Sequence, residues 1–410
     1  MFYDFANSAF TTIIVSVVYS AYFIKAVVIG DEGYGEMLWG RAVAISMTLV
    51  AITAPVFGAI ADYSRAKKKF LFYNCYLTII FTSLLFFVRQ GDVMMGMIFF
   101  IIANFGFNSA NVFYDAFLPE ITSQKDIGKT SGYGWAWGYV GGLVSLVSSL
   151  ILLKLSDAYV VYIFPMIGLH LFAYSMVTFI WLREVRKPSK RTNYFRVAYQ
   201  RIRFSVSNIR RLPELFRYMI SYLIYNSGIY TVILFAAIYG INRFGMSMQD
   251  MILYFIFAQF SSILGSVLFG RFADKASVKD SLSISLLIWI LVVIWAFFCQ
   301  SALEYYFVGF LAGLAIGSSQ ANSRTMLSIL TPRSKQAEFF GFYTLTGRLS
   351  SIFGPLLYGS IAYFSGSIRF AILSLIIFFI SGWVILNTVK IKQGIEDAGK
   401  LIQDDRIDDV

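Results

Sequence analysis

Long apolar segments, each about as long as a bilayer core is thick, alternate with short polar stretches along almost the whole chain. A transmembrane helix needs roughly 20 apolar residues, whereas outer-membrane barrel strands are shorter and alternate in polarity. The pattern therefore predicts an all-α polytopic membrane protein with twelve transmembrane helices. The predicted spans are residues 5–29, 39–62, 70–89, 92–116, 131–153, 159–182, 216–241, 249–272, 280–300, 304–326, 338–363 and 367–389.

Composition and charge agree with this class. Of the 410 residues, 58% are hydrophobic and 14% are charged, whereas a soluble domain has about 25% charged residues. The net charge of +11 does not indicate nucleic-acid binding, because the cations concentrate in loops on one predicted side, as the positive-inside rule requires. We therefore expect both termini in the cytoplasm, and the compact outer loops favour a bacterial inner (plasma) membrane. The first span starts so early that either it begins with the chain or the natural start lies upstream.

A word repeated at half-length predicts two homologous halves. Residues 57–62 read FGAIAD and residues 269–274 read FGRFAD, and cations follow each word. Two membrane halves around a central cavity are typical of secondary transporters. The basic linker between them is either a helix on the anionic leaflet or a solvated segment. The predicted divisions are six-helix halves at 1–182 and 216–389, a cytoplasmic basic linker at 183–215 and an acidic cytoplasmic tail at 390–410.

Polar side chains inside the spans are the candidates for function, since a charge at the bilayer centre costs roughly 2.5–3.5 kcal/mol on insertion scales. In span 4, spacings of four, three and four place a polar stripe on one helical face. We favour a cavity wall for this stripe over its alternative, interhelical hydrogen bonding. Arg348 lies far inside span 11 and is the hardest to explain as structure. The candidate substrate or coupling-ion cavity comprises Asp4, Asn7, Asn104, Asn108, Asn111, Asp115, Asn226, Gln320, Arg324 and Arg348.

Other chemistries have little support in the sequence. His170 is the single histidine and has no acid or cysteine cluster, so we favour a structural role over a proton relay and expect no metal. Cys75 and Cys299 are far apart in apolar segments and predict no disulfide. Ser123 stands where a P-loop needs its first glycine, which argues against ATP binding. We expect neither a cofactor nor enzymatic activity.

Glycines in two spans follow small-xxx-small spacing, which predicts close approach between helices. They are Gly134, Gly138, Gly141 and Gly142 in span 5, and Gly313 and Gly317 in span 10.

Several stretches, in chain order, resemble signature words of the Atg22-like (UMF1) family of the major facilitator superfamily. Residues 3–10, YDFANSAF, resemble its Y-D-W-A-N-S-A-Y word, and residues 131–142, SGYGWAWGYVGG, resemble its S-G-x-G-W-A-x-G-Y-x-G-G run. The repeated G-x-x-A-D words resemble the superfamily's motif in the cytoplasmic loop 2–3. Asp115 departs from the asparagine usual in the family, and Arg348 stands where lysine is common.

The resemblance implies a major facilitator fold, alternating access and, in fungal vacuolar members, amino-acid efflux. We expect the two repeated words to form a cytoplasmic gate through Gly58, Asp62, Arg65, Gly270 and Asp274.

The sequence therefore predicts a gradient-driven secondary transporter (permease) of small polar solutes, with amino acids first. Arg324 or Arg348 would attract a substrate carboxylate, and Asp4 or Asp115 an ammonium group or a coupling proton. The expected partners are a small-molecule substrate, a proton in a coupled mechanism and the lipid bilayer. We expect no nucleic-acid partner, and we expect the protein to be a monomer. The alternatives are an exporter of sugars, peptides or amphipathic compounds, and a non-transporting membrane sensor or scaffold on the same fold.

Overall fold

The computed structural model describes residues 2–30, 33–63, 67–115, 117, 127–182, 212–275, 277–331 and 336–407, and these residues form helices and short connections. The helices α1 to α12 correspond in order to the twelve predicted spans. Numbered along the chain, the helices are α1 (Phe2–Val27), α2 (Tyr34–Tyr63), α3 (Lys67–Leu84), α4 (Val93–Asp115), α5 (Ile127–Leu155), α6 (Val160–Trp181), α7 (Pro213–Phe244), α8 (Met248–Lys275), α9 (Val278–Phe298), α10 (Ala302–Leu330), α11 (Gln336–Ser365), α12 (Ile368–Thr388) and α13 (Ile391–Ile407).

Length and hydropathy identify this chain as an integral, multi-pass membrane protein. Among the described residues, eleven helices are long and apolar enough to cross a bilayer. The helix α11 is not among these eleven. It is 30 residues long, but Arg348 and several hydroxyl side chains lower its hydropathy. Large apolar side chains stand at the surface, with Trp181 80% and Phe364 82% exposed. Such a surface is suited to contact with lipid acyl chains, because exposing large apolar side chains to water is unfavourable in free energy.

The first helix is irregular in a way that the hydrophobic pattern does not show. Within α1, π-helical turns cover Phe10–Val17 and Phe23–Val27, and α-helical turns cover Phe2–Ala9 and Val18–Tyr22. A π-helical turn holds more residues than an α-helical turn, and such segments occur frequently at functional sites. The first π segment starts directly after the polar residues at 4, 7 and 8.

Local hydrogen bonds fix several helix starts. At α8, the Ser247 hydroxyl accepts a hydrogen bond from the Asp250 backbone N–H at 3.1 Å, and the Asp250 carboxylate accepts one from the Ser247 N–H at 2.9 Å. This reciprocal arrangement satisfies donors that the helix itself leaves unpaired. Ser277 and Ser301 cap α9 and α10 in the same general way, each accepting from a backbone N–H in the first turn.

Glycines allow pairs of helices to approach closely, as their spacing predicts. A Cβ on Gly138 of α5 would lie 2.7 Å from the Ser8 hydroxyl of α1, and a Cβ on Gly141 would overlap the carbonyl oxygen of Phe5. In α10, a Cβ on Gly317 would overlap the backbone of α8 at Ser262. Side chains at these positions would force the helices apart, so backbone-to-backbone packing holds them together.

Contacts divide the chain into two units. Unit 1 comprises Met1–Arg201, Ile233–Ile256 and Ala362–Gly366, and unit 2 comprises Ile202–Val232, Phe257–Ile361 and Ser367–Val410. Unit 1 therefore contains α1 to α6, the last turns of α7, the first turns of α8 and the last residues of α11. The charges of the loops predict that these ends lie on the outer side. The sequence-based division at 1–182 and 216–389 stays a prediction.

The acidic tail contains a packed helix. A Cβ on Gly394 of α13 would meet Leu330 at the end of α10 and Glu214 at the start of α7. The buried Glu214 carboxylate accepts a hydrogen bond from the Lys390 backbone N–H at 2.8 Å. The start of α13 is therefore attached to unit 2.

Candidate functional site

A polar cluster in unit 1 joins α1 to α4. The Asn7 amide donates to the side-chain oxygen of Asn111 at 2.6 Å, and the Tyr114 hydroxyl donates to the Asp4 carboxylate at 2.5 Å. Asp4, Asn7, Asn111 and Tyr114 are all half-buried. An acid, two amides and a phenol thus lie together on the facing sides of two helices, within the length of a bilayer span.

The other end of the span 4 stripe is used for packing. Asn104 is 2% exposed and donates to the Ser46 hydroxyl of α2 at 2.7 Å. Asn108 donates back to the Asn104 carbonyl oxygen at 2.9 Å and to its side-chain oxygen at 3.0 Å. Asn104 therefore fits interhelical hydrogen bonding, whereas Asn108 and Asn111 are partly exposed.

The surroundings of Asp4 are shaped by α5 and α6. A Cβ on Gly134 would lie 2.9 Å from the Asp4 carboxylate. Glycine at this position therefore avoids a steric clash with the carboxylate. His170 of α6 stacks on the Phe5 ring at 5.3 Å between centroids, and its Nε2 lies 3.4 Å from the Phe5 carbonyl oxygen. These contacts give His170 a place in the packing of α6 on α1. Both Cys75 and Cys299 are free and buried.

A second polar cluster lies in unit 2 between α7, α10 and α11. The Asn226 amide donates to the Ser350 hydroxyl at 2.5 Å. The Tyr225 and Ser323 hydroxyls lie 2.7 Å apart, and the Tyr218 hydroxyl donates to the Ser323 carbonyl oxygen at 2.6 Å. Asn7 and Asn226, the two asparagines of the repeated Asn-Ser words, thus each bond a neighbouring helix of their own unit.

Two arginines belong to this second cluster. Arg324 follows Ser323 on α10, is half-buried, and interacts electrostatically with Tyr222 and Tyr343. The rings of Tyr222 and Tyr343 stack at 4.1 Å between centroids. Arg348 is half-buried in α11. Gln320 is half-buried one turn before Arg324 on the same helix.

Several predicted site residues fall outside the described part of the structure. The side chains of Asp62, Asp115 and Asp274 and the whole of Arg65 lie outside it. The backbone places Asp62 one residue before the end of α2 and Asp274 one residue before the end of α8. Gly58 and Gly270 lie one turn earlier in these helices. The two repeated words therefore occupy equivalent positions, and the gate network stays a prediction.

Sequence reasoning missed several partners of the candidate residues. Tyr114 lies three positions after Asn111, so helical spacing could have added it to the stripe. The sequence does not single out the other partners, which are Ser46, Ser350 and Tyr343. Hydroxyl and aromatic side chains are frequent in membrane helices, and only the fold brings these three to the polar clusters.

Unit 1 also contains a polar contact at the end that the loop charges predict to be the outer one. Glu36 of α2 is 1% exposed, and its carboxylate accepts a hydrogen bond from the Asn242 amide of α7 at 2.5 Å. Also in unit 1, Gln249 of α8 donates to the Leu153 carbonyl oxygen of α5 at 3.1 Å. Spans from both predicted halves are therefore joined at this end.

Solved transporters share this arrangement of helices. The nucleoside transporter NupG matches with a TM-score of 0.68 at 14% sequence identity, covering 94% of this chain and 96% of that one. A D-xylose-proton symporter matches with a TM-score of 0.68 at 15% identity, covering 96% and 97%. The protein has the major facilitator fold, with partly buried polar clusters between its membrane helices.

Sequence relatives define the class further. The MFS-type transporter YxiO of Bacillus subtilis (strain 168) is 28% identical over 400 residues, which cover 94% of this chain and 93% of that protein. Autophagy-related protein 22 of Kluyveromyces lactis is 23% identical over 338 residues, which cover 73% and 68%. The protein is a transporter of the major facilitator type.

The family follows from a match over most of the chain. The model of the family described as vacuole effluxer Atg22 like matches residues 41–399, and the chain belongs to this family. The resemblance drawn from the signature words is thereby confirmed.

Proposed function

We propose that this transporter moves small zwitterionic solutes, amino acids first, by alternating access driven by a gradient. The observation that carries the proposal is that each unit has a half-buried charge in its polar cluster, the acid Asp4 in unit 1 and the cation Arg324 in unit 2. A zwitterion needs one partner of each sign, and charge-assisted hydrogen bonds are the strong ones in a water-poor site.

The unit 1 cluster supports an ammonium or proton role for Asp4. Its carboxylate accepts a hydrogen bond from Tyr114 at 2.5 Å and has Gly134 beside it. A carboxylate has two oxygens that can each accept hydrogen bonds, as the binding of an ammonium group requires. Ionisable groups at membrane depth commonly serve transport or proton transfer. We extend this role to Asp115 as the second candidate acid.

The unit 2 cluster supports a carboxylate role for Arg324 or Arg348. Arg324 interacts electrostatically with Tyr222 and Tyr343, whose rings stack on each other, and Tyr225 packs against Tyr222. The planar guanidinium matches a carboxylate bidentately. The amides of Asn226 and Gln320 would complete recognition of the solute.

Alternating access would use the repeated words as the cytoplasmic gate. We assign this role to Gly58, Asp62, Arg65, Gly270 and Asp274. One half would rock against the other, as is usual in transporters built from repeats. Opening toward the opposite side would then require the Glu36–Asn242 contact to break.

The test is a melting-temperature assay on the purified protein with a panel of related compounds. A ligand that binds the folded state raises the melting temperature, and the rise increases with the logarithm of the ligand concentration divided by Kd. Leucine should raise it, whereas isoamylamine and 4-methylpentanoate, which each lack one charge, should not. Uridine, as an example of a nucleoside, and D-xylose test the two solute classes that the names of the structural neighbours print. The shift by leucine should disappear in Asp4→Asn and persist in Asp157→Asn, whose exposed acid lies in the connection between α5 and α6.

Equal shifts by leucine and its two singly charged analogues would contradict recognition of a zwitterion. A shift by uridine or D-xylose alone would overturn the amino-acid assignment.

A further inference from the structure

A basic pocket lies at the end of unit 2 that the loop charges predict to be cytoplasmic. It has a volume of about 900 Å³ and is formed where α7, α9, α12 and α13 meet. Four cationic side chains line it, namely those of Arg217, Lys279, Lys390 and Lys392, and Val389 and Ile391 add an apolar wall. This pocket is separate from the polar cluster around Arg324 and belongs to neither predicted gate word.

Buried and backbone groups hold the side chains of Arg217 and Lys279, and the backbone of Lys390, in position. One oxygen of the Glu214 carboxylate lies 2.5 Å from the Arg217 guanidinium, and the other accepts from the Lys390 N–H at 2.8 Å. Glu214 itself is 1% exposed. The Lys279 ammonium donates to the carbonyl oxygens of Asn387 at 2.7 Å and of Val389 at 2.9 Å. A site whose groups are fixed in advance loses less entropy when a ligand binds.

The charge balance favours an anion. Glu214 compensates one of the four cations, which leaves the pocket positive. The last carbonyl groups of α12 are bonded by Lys279, so their negative partial charge is partly offset. At the same place the first turn of α13 begins with Ile391 and Lys392, and the N–H groups of a first helical turn favour negative charge.

The apolar surroundings favour a lipid over a soluble anion. Phe216, next to Arg217, is 46% exposed, and Ile395, one turn into α13, is 48% exposed. An anionic phospholipid offers both a phosphate for the cations and acyl chains for an apolar surface. Basic pockets between membrane helices on the cytoplasmic side bind such headgroups.

We propose that this pocket binds the phosphate group of an anionic phospholipid of the adjacent leaflet. The bound phosphate would bridge the two lysines at the start of α13 to Arg217 of α7 and Lys279 of α9. The lipid would thereby fasten the tail helix to the spans that it already contacts through Glu214. This binding is independent of the transported solute.

The test is a titration of the detergent-purified, full-length protein with phosphatidylglycerol, phosphatidylcholine or inorganic phosphate, followed by the melting temperature. Wild type should be stabilised by phosphatidylglycerol and much less by zwitterionic phosphatidylcholine. The double variant Lys390→Gln/Lys392→Gln removes two exposed cations without touching Glu214 or the bonds of Lys279. Since each cation near an anionic surface contributes about a fivefold change in binding, we expect roughly a 30-fold loss of apparent affinity.

The control is Lys275→Gln, which removes an exposed cation at the end of α8 that does not line the pocket. It should leave the response to phosphatidylglycerol unchanged. An unchanged response in the double variant, or an equal loss in the Lys275→Gln control, would overturn the proposal. Full stabilisation by inorganic phosphate alone would assign the pocket to a soluble anion and overturn the lipid assignment.

Discussion

At the scale of single residues, Arg348 provides the sharpest test of the proposed solute chemistry. Replacing it by glutamine keeps much of the side-chain length and removes the charge. We expect transport to fall by roughly 10–100-fold, because a hydrogen bond to a charged group contributes about 1.5–3 kcal/mol. Membrane expression should be unchanged. Transport of labelled amino acids into proteoliposomes measures the effect.

The matched control for this variant is Arg41→Gln, since Arg41 is an exposed cation of α2. It should transport normally. Retained transport by Arg348→Gln would remove Arg348 from the substrate site.

The asparagines of α4 make a second prediction at this scale, because the structure gives them different environments. Asn104→Ala removes the bond to Ser46 and should destabilise the protein by about 0.6 kcal/mol, the average for an interhelical hydrogen bond in a membrane, while transport continues. Asn111→Ala should reduce transport more than it reduces stability. Melting temperature and transport rate are measured on both variants. The opposite outcome, inactive but fully stable Asn104→Ala, would return Asn104 to the cavity wall.

Part of this polar chemistry was predictable from the sequence and part was not. The spacing of Asn104, Asn108 and Asn111 predicts one helical face, because helical geometry alone decides it. Which of them are consumed by packing depends on Ser46, a residue 58 positions away from Asn104. Such pairings depend on tertiary contacts, so no local pattern reveals them.

At the scale of helices, the glycines of α5 determine how closely α1 can pack. Gly141→Leu places a side chain where the Phe5 carbonyl oxygen lies. Overpacking usually costs about 1–3 kcal/mol, and here it would also displace Asp4 and Asn7 on the same helix. We expect a lower melting temperature and loss of transport together.

The matched control for folding is Gly270→Ala, because a Cβ at Gly270 meets no atom within 4 Å. Its melting temperature should not fall. A Gly141→Leu protein as stable as wild type would show that α1 and α5 do not pack as described.

The positions of the spans followed from hydropathy, whereas two features of the helices did not. The π-helical turns of α1 leave the apolar pattern intact, so that pattern cannot predict them. The helix α13 is formed by the polar sequence of the tail. Its contacts with Leu330 and Glu214 arise only after the chain folds. Periodicity predicts which segments are helices, and packing decides their irregularities and attachments.

At the scale of the whole molecule, alternating access predicts that the Glu36–Asn242 contact must open during each cycle. Cysteines replacing Glu36 and Asn242, in a background with Cys75 and Cys299 changed to alanine, can be joined by a short thiol cross-linker. Cross-linking should abolish transport, and a cleavable reagent should restore it after reduction. The pair Glu304→Cys/Gln300→Cys, which lies within one connection and its helix, controls for modification alone. Undiminished transport after complete cross-linking at 36 and 242 would contradict an opening at this end.

The most direct measurement of the central claim is counterflow in proteoliposomes with a labelled amino-acid mixture, with and without a pH gradient. The account predicts accumulation of label that excess unlabelled amino acid abolishes, and a response to the gradient if protons are coupled. Correctly inserted protein that accumulates no labelled amino acid, but does accumulate another solute, would contradict the proposed substrate class. Absence of counterflow with every solute tested would contradict the proposed transport of small zwitterions.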